Sequence, residues 1–382
     1  MRAVICGAGV AGLSLAFQLA RARWEVVLLE RNSGPADGGY LVDLADEGLL
    51  AAQHMGLLST IREMAQPVSR VCWIDGKSRV IADVEVESLC SSRGVSSLKI
   101  LRGDLEQALL QSLPSSVDVR FGFDVTEVRT PPGRVELKLR PGGHLTADLF
   151  IGADGIHSHV RDLVFGDGGL WSRTLGYDTA AFVFDDVDVR RRLAGALTVF
   201  SEPGRHIVLC PLRGGNVAAT LIHRSASMTP PRDARDHLRH VYGDLEWCVP
   251  ALLEHASRAS ELRYEQAVQI KFPQWHRGRI GLLGDSCHAY SLLPGQGSSI
   301  ALAAAFRLAQ DLVQAPSVDI ALGWYQIHLA GEMARRRAFT RRAAQWLIPA
   351  SRTELALRNA MLRTASLPGV QRLLGATVGG IA

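Results

Sequence analysis

No uninterrupted apolar run reaches membrane length among the 382 residues, although 47% of them are hydrophobic, so a helical span is not expected. The six cysteines, at positions 6, 72, 90, 210, 248 and 287, stand no closer than eighteen residues apart. That spacing excludes a CxxC redox pair and a zinc ribbon, offers no metal-ligand set, and fits the reduced thiols of a cytoplasmic protein. Internal repeats and low-complexity arms are missing too. The formal net charge, +4, is small for this length. It gathers late, in Met333-Ala-Arg-Arg-Arg-Ala-Phe-Thr-Arg-Arg342, where a solvated helix face is a simpler reading than a nucleic-acid or membrane contact. No nucleic-acid partner and no membrane insertion are therefore expected. A chain of this length buries a large core, as one unit or as two interleaved lobes.

What is present begins at Ala3-Val-Ile-Cys-Gly-Ala-Gly-Val-Ala-Gly-Leu13, a short apolar strand running into GxGxxG and then a helix patterned by Leu13, Ala16, Phe17 and Ala20. Gly7 permits the tight turn, Gly9 lets backbone approach a pyrophosphate, and Gly12 lets helix pack on strand. Val10 and Ala11 open the helix, whose free N–H groups and positive dipole end suit phosphate. Trp24 to Glu30 reads as the second strand. Glu30, eighteen residues beyond Gly12, is placed to accept hydrogen bonds from ribose hydroxyls, which favours FAD or NAD over NADP. Arg2, the apolar run and Ala20-Arg21-Ala22 superficially resemble a signal peptide, but glycines interrupt that run and cleavage would delete the first strand.

Further along, Leu98 to Leu110 reads as a strand turning into a helix with Arg102 at the junction. Alternating runs at 117–121, 124–129, 135–140 and 144–149, separated by Pro131-Pro-Gly133 and Pro141-Gly-Gly143, predict a meander of antiparallel strands. They lead into Gly152-Ala-Asp-Gly-Ile-His-Ser-His-Val-Arg161. A strand-rich region follows over 174–223, then helix and strand over 231–270. Gly278 to His288 is another strand and turn. Pro294-Gly-Gln-Gly-Ser-Ser299 opens a long helix, and residues 320–375 read as helices with Trp324, Tyr325, Met333, Phe339 and Trp346 facing inward.

Taken in this order, the motifs resemble those of the FAD-dependent monooxygenases of the single-component, aromatic-hydroxylase-like class. The motifs that match are GxGxxG with Glu30-Arg31, Arg102 at a helix opening, a DG motif over Gly152 to Arg161, a GD motif at Gly284-Asp285, and the glycine turn Pro294, Gly295, Gln296, Gly297. Gly38-Gly-Tyr-Leu-Val-Asp-Leu44 further resembles the GG-x-x-D-L stretch of the tetracycline-inactivating members. The resemblance implies an α/β fold with α+β insertions. A Rossmann-like FAD-binding domain (1–70, 99–170 and 275–320) is interleaved with a β-sheet substrate domain (71–98 and 171–274), and C-terminal helices occupy 321–382. It also implies that Asp43 lies at the flavin, that Arg102 pairs with pyrophosphate or ribityl oxygens, and that Asp285 accepts from the ribityl chain. Asp154 holds the turn beneath the adenine half, binding Arg161 or a backbone amide, with a purely structural hairpin as the alternative. Gly297, Ser298 and Ser299 begin the helix that meets the isoalloxazine.

Some family features are absent. Ser299 and Ala303-Ala304 stand where hydroxylases often carry Asn and an acidic pair, and Ala36-Asp37 stands where an arginine serves the nicotinamide nucleotide in the tetracycline-inactivating enzymes. The WxWxIP signature of flavin halogenases is also missing. The implied activity is hydride transfer from NAD(P)H to FAD, formation of a flavin hydroperoxide with dioxygen, and oxygenation of a hydrophobic, aromatic or polycyclic small molecule such as a secondary metabolite. The substrate is expected between the flavin and the 174–223 sheet. A flavin-dependent reductase of isoprenoid-type substrates and a flavin-bound interaction protein without turnover are the alternatives. His206, His223 and His288 are the candidate proton-transfer groups, each read more simply as a structural histidine, and no catalytic residue is assigned.

Overall fold

The runs Ala3–Cys6 and Val26–Leu29 are buried throughout, as strands covered on both faces must be. In the computed structural model, which describes residues 1–35, 39–87, 97–166, 171–225, 227, 229–290 and 297–364, they lie at the centre of a six-stranded sheet. The strand order is His276–Arg277, Ile280–Leu282, Leu149–Gly152, Arg2–Cys6, Glu25–Glu30, Val117–Phe121, parallel except for the His276–Arg277 edge. The chain leaves Arg2–Cys6 through the helix Val10–Arg21 to the neighbour on one side, while the neighbour on the other side arrives from residue 149. That reversal puts a crevice at the carboxyl end of the first strand, where open α/β sheets bind ligands.

The meander expected over 117–149 is corrected in two places. Val117–Phe121 pairs in parallel with Glu25–Glu30 instead of joining its sequence neighbour. The last run divides at Asp148 into His144–Ala147, which completes a three-stranded antiparallel sheet, and Leu149–Gly152, which enters the parallel one. Asp148 is the joint, its Oδ2 accepting from the Arg2 N–H at 2.8 Å. Alternation alone cannot tell a parallel edge strand from a meander strand, because both expose one face.

A second, seven-stranded sheet runs Arg263–Ile270, Ser172–Phe184, Val217–Arg224, Arg205–Pro211, Leu197–Glu202, Arg70–Ile74, Val80–Glu85, antiparallel except between Leu197–Glu202 and Arg70–Ile74. Period-two alternation divides its long strand between two environments. Ala180, Phe182 and Phe184 pack under the helices Ala234–Tyr242 and Val249–Arg258, whereas Ala181 and Val183 face the opposite way.

The helix Gly297–Gln314 lies against Val10–Arg21 and against Asp46–Met55, then leads to Val318–Leu347 and Arg352–Arg363. Tyr325 and Met333 are buried as expected and Trp346 is partly buried, but Trp324 and Phe339 are 38% and 49% exposed. The buried stripe runs through Tyr325, Met333, Thr340, Ala344 and Leu347. Trp324 and Phe339 each stand one position before a stripe residue, about 100° around the helix. Among the described residues no helix is long and apolar enough to cross a membrane.

Candidate cofactor and substrate site

The three glycines of the first motif meet three different surroundings. Gly7 has φ +109°, and a Cβ there would lie 2.4 Å from the Ala153 carbonyl oxygen. At Gly12 a Cβ would stand 1.9 Å from the Gly7 oxygen, so no other residue lets this helix start so close to the turn. At Gly9 the nearest atoms to a Cβ would be Arg102 Nη2 and Glu106 Oε1, both at 3.6 Å, which leaves an open face. The helix that begins at Val10 has no acidic residue in its first turn and no side-chain cap, so its opening N–H groups point unpaired toward this space.

That space is a cavity of about 780 Å³. Gly7, Gly9, Val10 and Ala11 form one end, joined by Glu30 and Arg31. Arg102, Asp154 and Asp285 also line it, as do Val42, Ala289, Gly297 and Ser298. Ala181, Val183 and Val268 extend it onto the seven-stranded sheet. Gly12, Asp43, Gly284 and Ser299 stand behind this lining, and Pro294, Gly295 and Gln296 fall outside the described residues, as does Gly38.

The lining is stiffened by bonds between motifs. Glu30 accepts from the Ala8 N–H through Oε2 and from the Asn32 N–H through Oε1, both at 2.9 Å, so it holds the glycine turn while its remaining lone pairs face the cavity. Asp154 takes the backbone option, not the Arg161 one: Oδ2 accepts the Val160 N–H at 3.0 Å and Oδ1 accepts the Ser158 hydroxyl at 2.6 Å. Burial pushes the Asp154 carboxyl up, against these bonds. Arg161 instead donates to the carbonyls of Ser286, at 2.8 Å, and Ile156, at 3.1 Å, tying the DG segment to the GD segment. Gly284, at φ +71°, packs its Cα face on Ala11 of the first motif. Asp285 lines the cavity, where desolvation raises its carboxyl pKa while Arg102 pulls the other way.

Arg102 donates through Nε to Glu106 at 2.9 Å and through Nη1 to the Tyr40 hydroxyl at 3.0 Å. Burial works against its charge, but Tyr40 and Glu106 outweigh it and the pKa is raised. Tyr40 and Glu106 were not anticipated. Glu106, four residues on from Arg102 along one helix, had a readable signal. Tyr40 had none, because its contact joins two segments 62 residues apart. Asp43 pairs at 3.1 Å with Lys99, accepts from the Ser97 hydroxyl, and is 3% exposed. Ser299 fixes the neighbouring strand by donating to the Asp43 carbonyl at 3.0 Å and accepting from the Ala45 N–H at 2.9 Å.

None of the three candidate histidines is in the cavity lining. His206 shares a 2.9 Å bond with Ser201, and burial, aided by Arg358, lowers its pKa to about 3. His288 lies 3.3 Å from the Tyr325 hydroxyl, and burial lowers it to about 4. His223 is likewise lowered to about 4 by burial.

The chain is similar to several known proteins. The 3-hydroxybenzoate 6-hydroxylase 1 of Aquipseudomonas alcaligenes is 27% identical over 372 residues, covering 94% of this chain and 92% of its own. Klebsiella pneumoniae HpxO, solved with FAD and uric acid, has a TM-score of 0.84 at 22% identity, covering 100% of this chain and 97% of that one. The tetracycline destructase Tet(55) has a TM-score of 0.81 at 22% identity, with coverage of 100% and 97%. At these identities the structures establish the shared fold. The family described as FAD binding domain matches residues 1–317, and the chain therefore belongs to it, within the FAD-dependent monooxygenases.

Proposed function

We propose that this protein is a monooxygenase that uses FAD, NAD(P)H and dioxygen to oxygenate a hydrophobic, aromatic or polycyclic small molecule. One observation carries the reading: a single cavity runs from the bare helix start at Gly9 to the apolar sheet positions Ala181, Val183 and Val268. The residues present fit FAD. The open face at Gly9 and the unpaired N–H groups after it suit a pyrophosphate, with Arg102 within reach as counter-charge. Glu30 has lone pairs left for ribose hydroxyls, and Asp285, in the same lining, would accept from ribityl hydroxyls. Gly297 and Ser298 bring a second helix start, free of acidic residues in its first turn, to favour negative charge at the far end.

When bound, FAD supplies the redox chemistry, taking a hydride from NAD(P)H and activating dioxygen. The chain's own task is to hold the reactants and exclude water. Ala181, Val183 and Val268 offer an apolar wall for the organic substrate, and substrate packed there displaces the water that would divert the oxygen to peroxide. The protein isolated with FAD should oxidise NAD(P)H slowly and release hydrogen peroxide. A matching aromatic substrate should accelerate oxidation, and one atom of isotopically labelled dioxygen should appear in the product by mass spectrometry. Label arriving only from water would overturn the reading.

A further inference from the structure

The seven-stranded sheet carries a second cluster of chemistry-bearing side chains on the face that packs under the helices Ala234–Tyr242 and Val249–Arg258. Asp178 and His223 are direct cross-strand partners, and Asp178 shares its strand face with Ala180 and Phe182, opposite the cavity-lining Ala181 and Val183. The helix Ala234–Tyr242 lays His237 over them. His223 Nε2 is 3.2 Å from His237 Nε2 and 3.9 Å from Asp178 Oδ2, and one ligand atom from each of the three residues lies within 4.8 Å of the others. We infer that Asp178, His223 and His237 form a binding site for one divalent cation of the zinc type, unconnected with the flavin reading.

Three observations support this. Around a four-coordinate Zn²⁺ with bonds of about 2.0–2.1 Å, neighbouring ligand atoms stand about 3.3 Å apart; the two imidazole nitrogens already match at 3.2 Å, and Asp178 Oδ2 at 3.9 Å from His223 must move inward. Asp178 is 2% exposed, its Oδ1 has no hydrogen-bond partner, and among the described residues no lysine or arginine pairs with it. A buried carboxylate without a counter-cation is expensive, and a bound dication removes the deficit. The outer partners also have the form that metal ligands need. His223 Nδ1 lies 3.4 Å from the Tyr242 hydroxyl, so Nε2 is the nitrogen turned to His237, and the Tyr264 hydroxyl, 3.4 Å from that Nε2, donates to Asp178 Oδ2 at 2.8 Å. Two nitrogens and one carboxylate oxygen suit Zn²⁺, with water in the fourth position. The bound ion would clamp the helix Ala234–Tyr242 to two strands and stabilise the fold.

The test uses the untagged full chain with its flavin, freed of metal by a chelator and titrated with zinc sulfate in a calorimeter. One Zn²⁺ per chain should bind, and added Zn²⁺ should raise the melting temperature. His237→Ala should abolish saturable binding. Tyr264→Phe, which removes only a positioning residue, should weaken binding about tenfold. His240→Ala, an exposed histidine on the same helix, should change nothing. Asp178→Asn provides a second ligand loss, and if it fails to fold, His237→Ala on the protein's outer layer still decides. Absence of saturable binding to the unmodified chain, or binding that survives His237→Ala, overturns the site.

Discussion

Glu30 illustrates how one side chain serves two ends at once. Its carboxylate orders the glycine turn through the Ala8 and Asn32 N–H groups, and its free lone pairs face the cavity. Glu30→Ala should therefore weaken FAD binding tenfold to a hundredfold, corresponding to about 1.5–3 kcal/mol for hydrogen bonds to a charged group. Fluorescence titration of the apoprotein with FAD measures this, and unchanged affinity would remove Glu30 from the site. Gly12→Ala acts differently. Its methyl group would meet the Gly7 carbonyl, so the helix must move off the strand and both stability and FAD retention should fall, read from a denaturation midpoint and from released flavin.

At the scale of elements, helix contacts set the position of the second helix start. Gly48 lies where a Cβ would be 2.6 Å from Ser299 Cα, and Ser299 in turn bonds the strand Leu41–Ala45. Gly48→Val should push the helix Asp46–Met55 off Gly297–Gln314, costing about 1–3 kcal/mol of stability by overpacking. Urea denaturation of the holoprotein checks the cost. A midpoint like that of the unmodified protein would show that the two helices do not pack so closely.

Across the whole molecule, buried histidines couple stability to pH. His206 and His288 have folded pKa values of about 3 and about 4, below the unfolded 6.5. The unfolded chain takes up their protons first as pH falls, so the stabilisation is present above 6.5 and is lost through the window down to the folded values. The slope is up to about 1.4 kcal/mol per pH unit for each histidine. Asp43 and Asp154, raised by burial, act in the opposite sense, gaining stability as pH falls toward 3.8. The histidine contribution by itself should lower denaturation midpoints as pH falls below 6.5. Resonances of His206 and His288 that titrate near 6.5 would contradict this.

Local rules decided much of this protein from the sequence alone. A strand, turn and helix around Gly7, Gly9 and Gly12 follow from backbone geometry, and Arg102 falls at a junction that apolar periodicity marks by itself. Together with the resemblance of the motifs to a known family, those signals led to the FAD-binding fold. Tertiary structure alone decided which strand Val117–Phe121 would join, that Asp154 would bind a backbone amide, and that Asp43 would pair with Lys99 behind the cavity lining. Asp178, His223 and His237, far apart in the chain and outside any motif, meet only because a sheet register and one overlying helix bring them there. The reason is physical: propensity and spacing act over a few residues, whereas burial and partner choice depend on which distant surfaces fold against each other.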